Sequence, residues 1–428
     1  MNGRPVRVGL LGCGNVGGAL AELIVAEGAA VAERTGVRLE ITRVGVRDLA
    51  KARPASLPDG VLTDDAEAVV SAADVDVVVE TIGGVEPART LLLDALKAGK
   101  PVVSANKELL AVAAAEMFEA ASAAGVDLLF EAAVAGGIPL IRPLRESLAG
   151  ERLTRVMGIV NGTTNYILTR MAEEGASYED ALAEAQRLGY AEPDPTADVD
   201  GLDAAAKAAI IAGIAFGGKV VAGDVYTEGI RAITARDIAF ADQLGYVVKL
   251  LAIADQVEGR VAVRVHPAMV PKTHPLASVR ESFNAVFIEG EAVGELMLYG
   301  RGAGGMPTAS ALLGDLIDAA HNLRAGGAGR APALGAANLR PVDELNAQYY
   351  FTVDVLDRPG VLEQVAGVTA RHDVSIQSMV QDGMGDEARL IFISHTACER
   401  DMQATLDDLR HLDVVERVGT LLRVIRSE

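Results

Sequence analysis

Hydrophobic and polar positions follow two rhythms along this chain. Short apolar runs at 6–11, 39–46, 75–80, 101–104, 126–131 and 153–160 predict strands, and the stretches between them carry apolar residues at helical spacing. After the first run, Ala19, Leu20, Leu23, Ile24 and Ala26 recur as one face of a helix. A later stretch, 202–211, is apolar nearly all round, which predicts a buried helix. From 322 to 348 the chain is rich in Gly, Ala, Pro and Arg and reads as a linker. Beyond it, runs at 349–355, 374–380, 389–394 and 418–425 with helical stretches between them predict a βαββαβ module.

The first strand runs directly into Gly12-Cys13-Gly14-Asn15-Val16-Gly17 and then into a helix. Gly-x-Gly-x-x-Gly in that order is a Rossmann dinucleotide turn: Gly12 permits the turn, Gly14 admits the pyrophosphate, Gly17 lets helix and strand pack, and the helix start offers free N–H groups. The second strand ends at Arg47, Asp48 and, one turn on, Lys51. Two cations there suit the 2′-phosphate of NADP, while Asp48 leaves NAD open. Two further strands end at the ligand edge of such a sheet, one at Thr81-Ile82-Gly83-Gly84 and one at Ser104-Ala105-Asn106-Lys107. Lys107 is therefore expected near nicotinamide or substrate, the alternative being a solvated helix start.

The chemistry concentrates further on. Glu192, Asp194, Asp198 and Asp200 lie in a proline-stiffened loop that runs into the buried helix, where Asp203 and Lys207 stand one turn apart on one face. A buried lysine is costly unless a carboxylate pairs with it, and such a pair is a proton-donor candidate; an exposed helix-stabilising ion pair is the plain alternative. After Glu131 a loop of small residues, 132–139, exposes carbonyls that with the carboxylate suit a hard cation, or simply make a tight turn. The segment Asn161-Gly162-Thr163-Thr164-Asn165 opens a helix and offers small polar groups to substrate or cofactor, or merely caps that helix. His266 and His274 fit no metal or relay pattern and are expected in loops.

Length and charge narrow the picture. A chain of 428 residues holds two or three domains, and a net charge of −20 argues against nucleic acid or an anionic membrane as partner. Cys13 and Cys398 are far apart, so no disulfide or cysteine metal site is expected; no signal peptide or bilayer-long apolar run stands out, and a cytoplasmic enzyme is expected. The first strand starts so early that no fused kinase is expected ahead of it.

On the stretches GLLGCGNVG, SANKELL, FEAAVAGGIP, GIVNGTTNYIL, GYAEPDPTADVDGLDAAAKAAI and YGRGAGGMPTASA, in order along the chain, the sequence resembles the homoserine dehydrogenase family. The resemblance implies reduction of L-aspartate 4-semialdehyde to L-homoserine with NADP or NAD. It implies Lys207, Asp203 and Lys107 as catalytic residues, and Glu192 and Asp198, with Lys207, as substrate ligands. It implies a sodium or other monovalent-cation site at Glu131 and the carbonyls of Val134, Gly136 and Ile138, and a glycine loop at Gly302 that closes over the cofactor. Arg301 stands where many relatives carry proline. The tail, through its DRPGVL turn, resembles an ACT domain, which implies threonine as effector, an oligomerisation unit that binds nothing being the alternative. The expected architecture is α/β: a Rossmann doubly wound domain at 1–130, an α+β catalytic and dimerisation domain at 131–321, a linker at 322–348 and a ferredoxin-like ACT domain at 349–428. A homodimer or homotetramer is expected. Another NADP-dependent aldehyde or imine reductase, and a catalytically silent amino-acid sensor, are the rival readings.

Overall fold

A computed structural model describes residues 4–53, 57–329, 331–332, 334–384 and 387–426; positions 330 and 333 of the expected linker lie outside them. The chain begins with β1 (Val6–Leu11), α1 (Asn15–Thr35), β2 (Leu39–Gly45), β3 (Leu62–Thr63), α2 (Ala66–Ser71), β4 (Val77–Glu80), α3 (Ala88–Lys97), β5 (Val102–Ser104), α4 (Lys107–Ala124) and β6 (Leu128–Leu129). It continues through β7 (Leu153–Ile159), α5 (Gly162–Glu174), α6 (Tyr178–Arg187), α7 (Thr196–Val199), α8 (Leu202–Phe216), β8 (Gly218–Lys219), β9 (Tyr226–Thr227), α9 (Ala235–Gln243) and the β10 (Tyr246–Val257)–β11 (Arg260–Pro271) hairpin. Then follow the β12 (Phe283–Gly290)–β13 (Gly294–Arg301) hairpin, α10 (Gly305–Ala325) and β14 (Gly335–Ala336). The last stretch holds β15 (Asn346–Leu356), α11 (Val361–Arg371), β16 (Ile376–Met384), β17 (Glu387–Ser394), β18 (Ala397–Cys398), α12 (Glu399–Leu409) and β19 (Val415–Val424).

Two compact units form. The first gathers 1–156, 206–225 and 283–337, the second 157–205, 226–282 and 338–428. In the first, β1 to β6 make a parallel sheet in the order β3-β2-β1-β4-β5-β6, the doubly wound order the pattern predicts. The central strands β1 and β4 are buried on both faces, hence their unbroken apolar runs. Helix α10 lies far along the chain and was expected with the 131–321 block. It packs into this sheet's core because Ala309, Leu312, Leu316, Ala319 and Ala320 line one face and meet Leu20, Ile24, Val77 and Val79. It also continues to Ala325, so the first residues of the expected linker are helical. Among the described helices, α1 alone has the length and apolarity of a membrane span; its face from Gly17 to Val31 is buried in the core.

In the second unit β10 and β11 pair antiparallel over their whole length, and β19 joins β11 in parallel at Ala268–Arg423 and Met269–Val424. From β19 the sheet continues to β15, β17 and β16, so the βαββαβ module extends the same sheet. Its core is Tyr349, Phe351, Val353, Val365, Val368, Phe392, Met402 and Leu406. His266, expected in a loop, lies in β11 and is 2 % exposed. Burial, then the charges of Arg423 and Arg264, hold its imidazole well below the ordinary histidine range. His274 begins a short 3-10 turn, its ring nitrogen accepting from the amide of Leu276.

Candidate active site

The dinucleotide turn is built by steric need. Gly12 sits at φ 93°, and a Cβ there would lie 2.9 Å from the carbonyl oxygen of Thr81. A Cβ on Gly17 would collide with the carbonyl of Gly12. Around Gly14 nothing lies within 4 Å of a would-be Cβ, which leaves backbone open to a pyrophosphate. No side chain caps the start of α1, so its first amides remain available to an anion. Asn15 is exposed at that start, Val16 packs inward, and Cys13 is buried, which pushes its thiol up. Arg47 and Lys51 are exposed beyond the end of β2. Arg53, which the sequence reading passed over, folds back on the carbonyls of Leu49, Lys51 and Asp48 and closes that loop.

Thr81 and Ser104, at the ligand edge where a cofactor-binding role is expected of them, spend their hydroxyls inside the fold. Thr81 Oγ1 donates to the carbonyls of Leu11 (3.1 Å) and Gly12 (3.0 Å), buttressing the turn from below. Ser104 Oγ donates to Glu80 Oε2 at 2.7 Å and is 1 % exposed. Glu80 was missed: its fully buried carboxylate also accepts from the amides of Ile82 (2.8 Å) and Gly83 (2.9 Å). Burial pushes its pKa up, with these donors working the other way. Asn106 accepts from the amide of Leu109, capping α4, and donates to the Gly84 carbonyl at 2.7 Å. Lys107 thus starts a helix pinned to the sheet edge and is half-buried there.

Glu131 begins a 3-10 turn just after β6, since Phe130 leaves the extended conformation and cuts the expected strand short. Its carboxylate caps the next turn, accepting from the amides of Leu140 (2.5 Å), Ile141 (2.8 Å) and Arg142 (2.8 Å). Ala135 and Gly136 are both left-handed, at φ 59° and 55°, which reverses the chain between Val134 and Ile138. Those loop residues are buried, yet no backbone donor among the described residues reaches the carbonyls of Val134, Gly136 or Ile138. Buried carbonyls beside a carboxylate are the kind of ligand a hard cation uses. A Cβ on Gly136 would collide with the carbonyl of Gly302, and one on Gly302 with the amide of Asn284. At these positions the loop tolerates no side chain, and a Cβ on Gly305 would come within 2.7 Å of Asn15 Oδ1 at the start of α1. Asn284 is 1 % exposed and its Oδ1 has no donor among the described residues. Arg301 lays its guanidinium over the Phe283 ring.

In the second unit the acidic loop resolves into different jobs. Asp194 Oδ1 caps the amide of Thr196, and Asp200 pairs with Arg231. Glu192 is exposed, its carbonyl accepting from Gln186 Nε2 at 3.1 Å. Asp198, in the short helix α7 that interrupts the expected loop, converges with Asp203 on one side chain: Asn161 Nδ2 donates to Asp198 Oδ1 at 2.7 Å and to Asp203 Oδ2 at 2.9 Å. Thr163 Oγ1 donates to the carbonyl of Tyr190 at 2.6 Å, tying the loop to α5. On α8, Asp203, in the second unit, is 8 % exposed and Lys207, in the first, 9 %, so both are buried as expected from their apolar flanks. A further buried amine, Lys249, donates to Asn165 Oδ1 (2.9 Å) and to the carbonyl of Val279 (2.5 Å). Nothing in a lone lysine within an apolar strand signals that contact.

A doubly wound sheet with an open glycine turn, a lysine at its ligand edge and a buried lysine–carboxylate helix defines a dinucleotide-dependent oxidoreductase, here with a ferredoxin-like module at the end. The family patterns described as "Homoserine dehydrogenase, NAD binding domain", "Homoserine dehydrogenase" and "ACT domain" match residues 12–131, 139–317 and 349–414. The chain is 50 % identical to the homoserine dehydrogenase of Corynebacterium glutamicum over 99 % of its own length and 97 % of the relative's. To that of Mycobacterium tuberculosis it is 49 % identical, over 98 % of both. A homoserine dehydrogenase structure from Thiobacillus denitrificans matches with a TM-score of 0.93 and 40 % identity over 99 % of this chain and 98 % of that one. A hyperthermophilic archaeal homoserine dehydrogenase in complex with NADPH matches with a TM-score of 0.62 and 29 % identity, over 74 % of this chain and 98 % of that one. The chain belongs to the homoserine dehydrogenase family, and it is an NAD(P)-dependent oxidoreductase acting on a CH–OH group.

Proposed function

We propose that this chain reversibly reduces L-aspartate 4-semialdehyde to L-homoserine, on the route to threonine, methionine and isoleucine, with NADP(H) preferred over NAD(H). The observation that carries this reading is the convergence of Asp198 and Asp203 on Asn161, with Lys207 buried one turn beyond Asp203 on the same helix. Glu192 and Asp198 bind the substrate ammonium. Asp203 holds Lys207 in place, and Lys207 with Lys107 stabilises the oxygen on which negative charge develops and returns a proton to it. The bound nicotinamide supplies the hydride. The open backbone at Gly14, the uncapped start of α1 and the cations Arg47 and Lys51 support NADP. Gly12, Cys13, Asn15, Val16 and Gly17 complete its turn, Thr81 and Ser104 shape the edge from within, and Gly302 closes over it. The buried carbonyls of Val134, Gly136 and Ile138, which no backbone donor among the described residues reaches, beside Glu131, support a monovalent cation such as sodium, which would stiffen the loop that carries Gly302's neighbour.

Threonine is the proposed effector of the ACT module. A cleft of about 450 Å³ at its Asp357–Leu362 turn is lined by Asp357, Arg358, Gly360 and Gln381, charges of both signs that suit an amino acid. The assembly proposed is a cytoplasmic homodimer or homotetramer joined through 131–321, with 1–130 binding the dinucleotide, 322–348 linking and 349–428 regulating. Oxidation of NADPH and of NADH by the purified protein with L-aspartate 4-semialdehyde, with and without threonine, tests the reading. Turnover that favours NADPH, falls with threonine and is lost in Lys207→Ala is expected. Full turnover in Lys207→Ala would overturn the catalytic assignment, and indifference to threonine the regulatory one.

A further inference from the structure

Asn161 stands at the start of α5 with both ends of its amide in use. Oδ1 accepts from the amide of Thr164 (2.9 Å) and from Thr164 Oγ1 (2.9 Å), while Nδ2 gives its two hydrogens to Asp198 and Asp203. The amide orientation is fixed by this pattern, because a flip would aim an oxygen at two carboxylates and an NH2 at an N–H donor. The side chain is 5 % exposed, so water cannot substitute for either set of bonds.

Capping alone does not ask for asparagine. Serine, threonine and aspartate cap a helix about as well, each through an acceptor oxygen. Only asparagine adds, opposite that acceptor, a planar NH2 whose two hydrogens diverge at a fixed angle. That geometry sets the separation and direction of two carboxylate oxygens, buried on Asp203 and part-buried on Asp198, which would otherwise repel one another. Asp203 arrives on α8 and Asp198 on α7, while Asn161 is carried by the α5 start, which has its own anchor. Gly162 lies against Ser282, where a Cβ would come within 2.7 Å of its carbonyl oxygen, and Asn165 Nδ2 donates to the carbonyl of Glu281 at 2.9 Å.

We infer that Asn161 is a positioning residue that holds Asp198 and Asp203 as one acceptor pair for the ammonium groups of the amino-acid substrate and of Lys207. This rests on the site proposed above for those two carboxylates. Asn161 touches no reacting atom; it acts through the oxygens it orients.

The experiment compares Asn161→Ser and Asn161→Asp with the parent in homoserine oxidation, with Asp203→Asn as reference. Both Asn161 variants keep a capping oxygen, so α5 should form; serine is too short to bridge, and aspartate presents a carboxyl where the NH2 stood. Expected is a fall of about 10²-fold in kcat/KM for homoserine, larger for aspartate than for serine, with the KM for the dinucleotide within about threefold of the parent. A merely structural role would weaken both substrates together or neither. Homoserine kinetics within about threefold of the parent in both variants, beside an inactive Asp203→Asn, would overturn the inference while leaving the site intact. Equal losses for both substrates would overturn it as well, and an active Asp203→Asn would remove the site on which it stands.

Discussion

Glu399→Gln keeps the shape of a buried side chain and removes its charge from a cluster that joins the last strand to the middle of the chain. Arg423 on β19 meets Glu399 through Nε (3.1 Å) and Nη2, Glu228 through Nη1 (2.5 Å) and the Tyr226 hydroxyl through Nη2 (3.3 Å). The Arg423 and Glu399 side chains are 5 % and 4 % exposed, so solvent cannot take over a lost bond. Removing one partner of such a pair costs about 3–5 kcal/mol, and because Glu228 still faces Arg423 the lower end applies, about 3 kcal/mol. For a unit of this size each kcal/mol moves Tm by about 2–4 °C, so a drop of roughly 6–12 °C is expected by scanning calorimetry at neutral pH. The double variant Glu399→Gln/Arg423→Gln should lose less than the two single losses added together, by about 1–2 kcal/mol. Burial works to raise the Glu399 carboxyl, but the bonds and charge of Arg423, with Gln403 and Tyr349, prevail and hold it below its ordinary value. A carboxyl lowered by folding contributes stability above its unfolded pKa and loses it as pH falls through the folded value. The gap between parent and variant should therefore close below about pH 4. A Tm within about 2 °C of the parent at neutral pH, or strictly additive losses, would refute the account.

Burial, aided by Arg280 and opposed by Glu173, brings Lys249 from 10.5 down to about 8. A lysine lowered by folding makes stability rise with pH between its folded and unfolded values, so between about pH 8 and 10 the parent should gain on Lys249→Met in urea denaturation, and parallel curves would contradict this. Gly302→Ala, whose Cβ would strike Asn284, should raise the dinucleotide KM about tenfold or more; saturation titration of NADPH fluorescence checks it. Arg47→Ala with Lys51→Ala should raise the KM for NADPH about tenfold and leave that for NADH nearly unchanged, measured in parallel assays.

The Rossmann turn was legible because strand, glycine turn and helix are contiguous and Gly17 is required by the carbonyl of Gly12 in the same turn; that Gly12 is required by Thr81, after β4 and 69 positions on, only the fold shows. The acid–lysine helix was legible for the same reason, since spacing and apolar flanks are enough to bury Asp203 and Lys207. Partners distant in sequence were not legible. Ser104 and Thr81 end strands at the ligand edge, and only the fold shows that Glu80 and the Leu11–Gly12 carbonyls take their hydroxyls. Asn161 showed itself as a cap, whereas its second task depends on residues 37 and 42 positions away. His266 fits no metal or relay pattern and reads as a loop residue, yet it lies within β11, which runs on past Pro267 to Pro271.

The sheet of the second unit changes what the tail is. The stretch 322–348 reads as a linker, but β19 lies beside β11, and its Arg423 neutralises Glu228 in the segment after β9. That segment is held to the acidic loop: the amide of Ile230 donates to the carbonyl of Val199 at 2.8 Å, and Gly229 leaves no room for a Cβ against the same carbonyl. Val199 follows Asp198 directly. A displacement of β19 along its own axis would thus have to break the Arg423 cluster or carry the neighbour of Asp198 with it, and the buried charges make the first course the costlier one. Physical continuity from the ACT module's sheet to Asp198, the carboxylate proposed to bind substrate, is the condition any effector signal would have to meet, and here it runs through hydrogen bonds rather than through the linker.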